Sequence, residues 1–327
     1  MSSISDRFAV DRSSFPGPVL VTGAGGCIGS WVLALLARSG VPACAFDLSE
    51  DKRRPLLLID DKDLAKIAWR TGDISDGNTV MRVFEDVRPC AVIHLAALQV
   101  PFCKADPVAG AKVNVVGTVN VFEAARKLGI RRLAYASSIA AYGAMDEGHG
   151  AMHTLYGAYK HCDEQIALVY SADWGVHSVG IRPGVVYGVG RDQGLTSKTT
   201  VAILAAAAGK PYEVPFSGGV SWLYTGEVAS AFIRAVAKER AGSKVFNMNG
   251  VHAPVDEGLA ILRKLAPQAR ITSSGEALAF PMHLPDEPLR EFLGDYGRAS
   301  LAEGIRETYG TFRSLISRGL IAEREPL

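Results

Sequence analysis

Apolar positions in this chain fall into two alternating rhythms. Val19-Leu20-Val21 is a short unbroken apolar run that ends at Thr22 and a glycine-rich turn. Over residues 31–39 the apolar positions recur at helical spacing, with Gly40 as a stop. Residues 42–46 read as a second strand ending at Asp47, and residues 67–70 as a third. Residues 80–87 look helical. Residues 90–97 are almost wholly apolar, as a parallel strand buried on both faces should be. Residues 106–128 read as one long helix ended by Gly129, and residues 133–138 as a strand that ends in hydroxyls. A helix over residues 156–174 is stopped by Gly175, and residues 178–182 are again extended. This alternation predicts βαβ units with right-handed crossovers. The fold class is therefore α/β, a doubly wound parallel sheet with helices on both faces.

Past residue 188 the rhythm loosens. Helices are expected over residues 196–208 and 226–239, with extended pieces at 218–224 and 245–248. Two tail helices, near residues 256–265 and 300–317, flank a loop-rich region holding Pro281, Pro285 and Pro288. No internal repeat is visible. This divides the chain into a flexible leader (1–18), a cofactor domain (19–188, with 225–250 returning to it) and a smaller substrate-binding lobe (189–224 and 251–327). The lobe is expected to close over the C-terminal edge of the sheet, where open α/β sheets bind ligands.

Bulk numbers narrow the class further. The 327 residues are 48% hydrophobic and 21% charged, with a net charge of +1. These are globular values, and they leave no basic footprint for nucleic acid. No apolar run reaches the roughly 18 residues of a membrane span, and the polar start has no signal-peptide core. The five cysteines, Cys27, Cys44, Cys90, Cys103 and Cys162, are scattered and form no C-x-x-C pair. They read as reduced thiols of a cytoplasmic protein, with no metal site.

The candidate chemistry starts at the turn after the first strand. Gly23, Gly26 and Gly29 are spaced G-x-x-G-x-x-G. Gly23 permits a tight turn, Gly26 a close approach of backbone to phosphate, and Gly29 close packing of helix on strand. The helix N-terminus then presents free N–H groups to a dinucleotide pyrophosphate. Asp47 lies 18 positions after Gly29, where an acid meets the adenosine ribose and repels a 2′-phosphate, favouring NAD over NADP. Arg53 and Arg54 nearby read as solvated loop charges. The sharpest constellation is Ser138 with Tyr156 and Lys160. Tyr156 and Lys160, four apart on a helix, share a face. A lysine ammonium beside a phenol favours the phenolate a general base requires.

With these residues in register, the chain resembles the extended short-chain dehydrogenases/reductases, the NAD-dependent epimerase/dehydratase group. The likeness rests on residues 22–29 (TGAGGCIG), 72–74 (GDI), 94–97 (HLAA), 114–120 (NVVGTVN), Ser137-Ser138 with Tyr142-Gly143, the Tyr156/Lys160 pair and residues 182–188 (RPGVVYG). It spans about residues 19 to 190 and weakly touches residues 222–229. The resemblance implies a Rossmann-like domain and a bound NAD. Cys27 and Ile28 would sit with the glycines against the pyrophosphate, and Asp73 and Ile74 would flank the adenine. Leu95, Ala96 and Ala97 would line the ribose and phosphates, and Pro183 and Val185 would touch the nicotinamide. Asn114 would support the nicotinamide end and the proton path. Tyr156 would be the acid/base, Ser138 the oxygen-orienting hydroxyl, and Lys160 would also bind the nicotinamide ribose. Tyr142 and Tyr159 would be structural, and His94 a satisfied core histidine. Relatives commonly pair through two helices of this domain, which implies a homodimer.

Departures bear on the substrate. Relatives handling nucleotide-sugars often carry an arginine where this chain has Val220 and Ser221, and an asparagine where it reads Pro-Gly-Val-Val. The stretch between Tyr142 and Tyr156 is short and lacks a proline-rich lead-in. A smaller substrate is expected: a sugar, polyol, sugar acid or other hydroxy compound. Gln99, Phe102, Tyr187, Arg191, Gln193, Thr196, Ser197 and Trp222 are the residues that could meet it. Arg191-Asp192 also reads as an internal ion pair, and Trp222 as core. The expected activity is oxidation of a secondary hydroxyl by NAD. An NAD-retaining 4-epimerase is the alternative, and a non-catalytic NAD-binding sensor the more remote one.

Overall fold

The computed structural model describes residues 7–144, 153–278 and 284–321. Most of the stretch between Tyr142 and Tyr156, Pro281 and the first six residues of the leader lie outside the described residues. In chain order the strands are β1 (Val19–Thr22), β2 (Ala43–Asp47), β3 (Ala68–Thr71), β4 (Ala91–His94), β5 (Leu133–Ala136) and β6 (Ser178–Pro183). They continue with β7 (Val186–Tyr187), β8 (Tyr212–Val214), β9 (Gly219–Tyr224), β10 (Ser243–Met248), β11 (Val251–Pro254) and β12 (Ile271–Ser273).

Seven strands form one parallel sheet in the order β10-β6-β5-β4-β1-β2-β3. The chain winds outward from β1 in both directions, so the order reverses between β1 and β4. There Thr22 stands opposite His94. A crevice outside the carboxyl ends of such strands is where doubly wound sheets hold ligands.

Strand alternation assigns the two faces. Val19, Val21, Ala43, Ala45, Ile93 and Ile181 point to one side and join Trp31, Val32 and Leu35 of helix Cys27–Arg38 and Val228, Phe232 and Ile233 of helix Thr225–Val236. Leu20, Cys44, Phe46, Val92 and Tyr135 point to the other, against Val80 and Phe84 of helix Gly77–Val87 and Val121 and Phe122 of helix Gly117–Leu128. With period-two side chains and cover on both sides, every strand residue of β1 and β4 is buried.

The first core does not stop at the sheet. It runs on through Tyr187, Trp222 and Tyr224 to Ile305, Phe312 and Leu315 of the last helix, Leu301–Ser317. Strands β11-β9-β7 and the parallel pair β12-β8 form two small sheets over this extension, and β10 lies back in the main sheet. Ser300 caps the last helix reciprocally with Glu303.

One expectation needs correction and one refinement. The leader is not loose from Arg7 onward. Phe8 and Phe15 are fully buried, the Phe8 ring lies 6.1 Å from Tyr224, and Arg7 pairs with Glu303 at 2.7 Å. Two large apolar rings in a polar segment suffice to dock it. The long helix over 106–128 is present without a break but is not uniformly α. It consists of Pro107–Ala111, a widened π-turn at Lys112–Val116, and Gly117–Leu128, with Asp106 capping the first piece through Ala109 N–H. Such a bulge inserts a residue without breaking the apolar face, and it falls where Asn114 is needed.

Among the described residues no helix is long and apolar enough to cross a membrane, and no group of His, Cys, Asp or Glu could hold a metal ion. All five cysteines are free thiols.

Candidate active site

The crevice at the carboxyl edge of the sheet is a cleft of about 740 Å³. Its floor begins at the glycine turn. Gly23 has φ +66°, and a Cβ there would lie 2.6 Å from Ala96 N. A Cβ on Gly29 would lie 2.3 Å from Gly23 O. A side chain at Gly23 would collide with the backbone that follows β4, and one at Gly29 would force the helix away from the turn. Gly26 stands at the N-cap of helix Cys27–Arg38 with no side chain to occupy the first-turn N–H groups, and that turn holds no acidic residue. The result is a bare, positively polarised helix end facing the cleft, fit for a pyrophosphate. Burial pushes the Cys27 thiol up to about 11, so it adds no negative charge.

Asp47 ends β2 on the cleft wall. Its carboxylate accepts Gly25 N–H at 2.9 Å and Leu48 N–H at 2.7 Å. Arg54 is not the free loop charge expected. It forks onto Asp192 at 2.8–3.2 Å and donates to Gly25 O at 3.1 Å, joining two segments 138 residues apart. Asp192 is thus paired with Arg54, not with Arg191. Asp73 and Ile74 line the same end, Asp73 held by the Ser75 N–H and hydroxyl at 2.8 Å.

Leu95, Ala96 and Ala97 continue from β4 along the wall. Their backbone is anchored by Thr22, whose hydroxyl meets the Leu95 and Ala96 N–H groups at 3.2 and 3.3 Å. Thr22 also meets His94 Nδ1 at 2.7 Å, and Thr118 meets His94 Nε2 at 3.2 Å. Burial lowers the His94 pKa to about 3, so this ring is a neutral, fully bonded core residue. Asn114, buried in the π-turn, accepts Leu98 N–H at 2.7 Å and donates to Leu98 O at 3.0 Å. Both ends of its amide are spent on fixing that loop.

Ser138, Tyr156 and Lys160 are brought to the same cleft. Thr154 caps helix Leu155–Trp174 through Gly157 N–H at 3.0 Å. A Cβ on Gly157 would lie 2.4 Å from Ala140 O, so glycine lets this helix press against the turn that follows Ser138. Ser138, Tyr156 and Lys160 all line the cleft, with Lys160 Nζ 6.0 Å from the centre of the Tyr156 ring. Lys160 is buried and bonded to buried Asp163 at 3.2 Å. Burial opposes the ammonium charge, but Asp163 and the Tyr156 phenol outweigh it and hold the Lys160 pKa above its ordinary value. Burial pushes the Asp163 carboxyl up to about 6.

The adjacent hydroxyls divide. Ser137 is buried and donates to Glu164, which is clamped by Arg182 through two bonds of 2.6 Å. Arg182 lies 4.7 Å above the Tyr142 ring. Ser138 is half-exposed, its oxygen accepting Ala140 N–H at 3.1 Å. Tyr159 donates to Pro107 O at 2.9 Å. Asp163 and Glu164 were not singled out in the sequence. They sit three and four residues after Lys160, so the helical spacing that pairs Tyr156 with Lys160 could have found them.

Pro183 and Val185 also line the cleft, and Gln99, Phe102, Arg191, Gln193, Leu195 and Thr196 line the part built by the segments around Gln99 and residues 190–196, the mouth, where Arg191 bonds both Gln99 and Thr196. Tyr187 and Trp222 do not reach it, which corrects their assignment to the substrate. They are 1% and 3% exposed, with rings 5.4 Å apart edge to face, and belong to the core behind the site. Ser197 is also buried, its hydroxyl on Gly194 O at 2.8 Å.

The family described as "NAD dependent epimerase/dehydratase family" matches residues 19–249. A UDP-glucose 4-epimerase of Mycolicibacterium smegmatis is 28% identical over 315 residues, covering 90% of this chain and 98% of that one. The structure of a Thermus thermophilus UDP-glucose 4-epimerase in complex with NAD is similar with a TM-score of 0.74 and 27% identity, over 90% of this chain and 99% of that chain. An L-threonine dehydrogenase from Clostridium difficile shares the fold with a TM-score of 0.78 at 18% identity, over 91% of this chain and 98% of that one.

Proposed function

The chain belongs to the NAD dependent epimerase/dehydratase family, and from its site we infer that it is a dehydrogenase oxidising a secondary hydroxyl of a small carbohydrate-like substrate. The observation that carries this reading is the convergence of Ser138, Tyr156 and Lys160 on the same cleft as the glycine cradle and Asp47. Gly23, Gly26, Cys27, Ile28 and Gly29 hold the pyrophosphate, Asp47 the adenosine ribose, Asp73 and Ile74 the adenine. Leu95, Ala96 and Ala97 border the phosphates, and Pro183 and Val185 the nicotinamide. When bound, NAD supplies the hydride acceptor.

The remaining work falls to side chains. Tyr156 takes the hydroxyl proton as the carbinol C–H leaves with its electron pair and the carbonyl forms. Ser138 donates to that oxygen and orients it. Lys160 places a fixed positive charge beside the phenol, and Asn114 holds the Leu98 loop that faces them. The substrate meets Gln99, Phe102 and Arg191 at the mouth.

The 4-epimerase reading uses the same residues, and the names of the relatives favour it. Against it, Val220 and Ser221, standing where diphosphate-binding relatives often carry arginine, are 1% and 2% exposed and offer no cation, Val220 packing in the core. A sensor would need no such trio. Val116, Leu168, Val169 and Trp174 are exposed on neighbouring helices and suit a homodimer, which sedimentation would report. Five free thiols suit the cytoplasm.

A panel of sugars, polyols and sugar acids with NAD and NADP tests the reading. Net formation of reduced nicotinamide marks a dehydrogenase, and turnover without it an epimerase. Tyr156→Phe should lower kcat/KM about 10²–10⁴-fold for every active substrate. Unchanged turnover would sink the mechanism.

A further inference from the structure

The charged groups that line the cleft are nearly all neutralised or bonded by the fold itself. Asp47 takes two backbone N–H groups, Asp73 takes Ser75, Asp51 pairs with Arg53, Arg54 with Asp192, and Lys160 with Asp163. Arg191 differs. Among the described residues it forms no ion pair, and its hydrogen bonds go only to neutral side chains. Nη1 donates to Gln99 Oε1 at 3.4 Å and Nη2 to Thr196 Oγ1 at 2.9 Å. Its Nε is buried without a partner.

The position is also held firmly. Trp31 Nε1 bonds Val189 O at 2.9 Å two residues before, and Arg54 clasps Asp192 immediately after. Gly188, Gly190 and Gly194 turn the loop with φ of +137°, +86° and +87°. Backbone and side chain are thus set before anything binds, which removes an ordering cost from recognition. A guanidinium half withdrawn from water and left without a counter-charge is an unsatisfied group. Each Nη carries two hydrogens and spends one on a neutral neighbour. One hydrogen on each Nη remains, and a carboxylate supplies the paired planar acceptors that a guanidinium takes.

We propose that Arg191, flanked by Gln99 and Thr196, seats a carboxylate of the substrate, so that the substrate class is the small hydroxy acids rather than neutral sugars or polyols. The proposal rests on the dehydrogenase reading above and narrows it. The other anion within reach is the cofactor pyrophosphate, since Arg191 is close enough to Cys27 to act on its thiol. That anion already has the free helix end of Cys27–Arg38, whereas Gln99 and Thr196 stand on the walls of the mouth.

The full-length enzyme loaded with NAD is assayed with aldonates against alditols of the same carbon length. Aldonates should be oxidised with the higher kcat/KM. Arg191→Met should lower kcat/KM for the aldonate about 10–100-fold, mainly through KM, as loss of a hydrogen bond to a charged group does. Arg191→Lys should recover part of it. Reduced-nicotinamide binding, followed by fluorescence titration, should stay within about twofold of wild type in both variants if the pyrophosphate is held by the helix end and not by Arg191. Malonate, a carboxylate that cannot be oxidised, should raise the melting temperature of the wild type and not of Arg191→Met.

A parallel weakening of nicotinamide binding would assign Arg191 to the pyrophosphate and overturn the proposal. So would alditols equalling aldonates, or a wild type indifferent to malonate. Those outcomes leave the dehydrogenase reading standing, which fails if turnover forms no net reduced nicotinamide or if Tyr156→Phe retains turnover.

Discussion

The two ends of the cleft are built differently. At the cofactor end, polar groups are spent on one another or on backbone. Thr22, His94 and Thr118 form one buried chain, Asn114 clamps Leu98, Lys160 is bonded to Asp163, and Ser137, Glu164 and Arg182 form another chain. These groups sit on strands, helices or turns directly continuous with them. The mouth is made by the segments around Gln99 and residues 188–196, and its half-buried cation, Arg191, is held by neutral neighbours. The contrast separates reaction from recognition. Chemistry common to a family needs geometry fixed by elements, while discrimination among substrates is carried by loops on that scaffold.

Breaking the buried chain should have the largest effect. Glu164→Ala leaves Arg182 and Ser137 without their partner, and loss of one member of a buried ion pair costs about 3–5 kcal/mol. Urea midpoints should fall accordingly, and kcat with them, because the turn carrying Ser138 loses its support. A loss of stability with full kcat would show that the cofactor end does not depend on this chain.

The core behind the mouth should separate the two properties. Trp222→Ala should cost about 3 kcal/mol, near the low end for a buried tryptophan, since Gly258 and Tyr187 can settle toward the gap. With Trp222 outside the cleft, kcat and KM per folded molecule should not change. A shifted KM would return Trp222 to the site.

The smallest effect is a pH dependence away from both ends. Burial raises the Glu227 pKa to about 7, although its carboxylate accepts Ala299 N–H at 2.8 Å. Between the unfolded value of about 4.5 and 7 the folded state holds more protons than the unfolded one. This group therefore adds stability at low pH, lost as pH rises through about 7. Glu227→Gln should melt near wild type at pH ~5 and be more stable at pH ~8, by on the order of 2 kcal/mol. Equal melting at both pH values would refute the assignment.

The same contrast governs what could be read from the chain. Apolar runs, glycine stops and the Tyr156–Lys160 spacing are local signals, so the sheet, its helices and the cofactor end were legible. Periodicity carried across residues 106–128 and hid the π-turn, because the apolar face survives the widening. Phe8 and Phe15 stand alone in a polar segment, and nothing local shows that they are buried. Arg54 and Asp192 are 138 residues apart, so their pairing appears only in three dimensions. Tyr187 and Trp222 failed for a related reason: alternation separates a strand's two faces without saying which meets the cleft.

The docking of Phe8 has a consequence for synthesis. Translation delivers Arg7 and Phe8 long before helix Leu301–Ser317, yet Arg7 pairs with Glu303 on that helix. Gly304 sits so tightly over Tyr187 that a Cβ would lie 2.0 Å from its hydroxyl. The aromatic group of Phe8, Tyr187 and Tyr224 thus stays open until the last helix clears the ribosome. A nascent chain stalled short of residue 301 displays apolar rings that the finished protein hides, which marks it for chaperone binding during that interval.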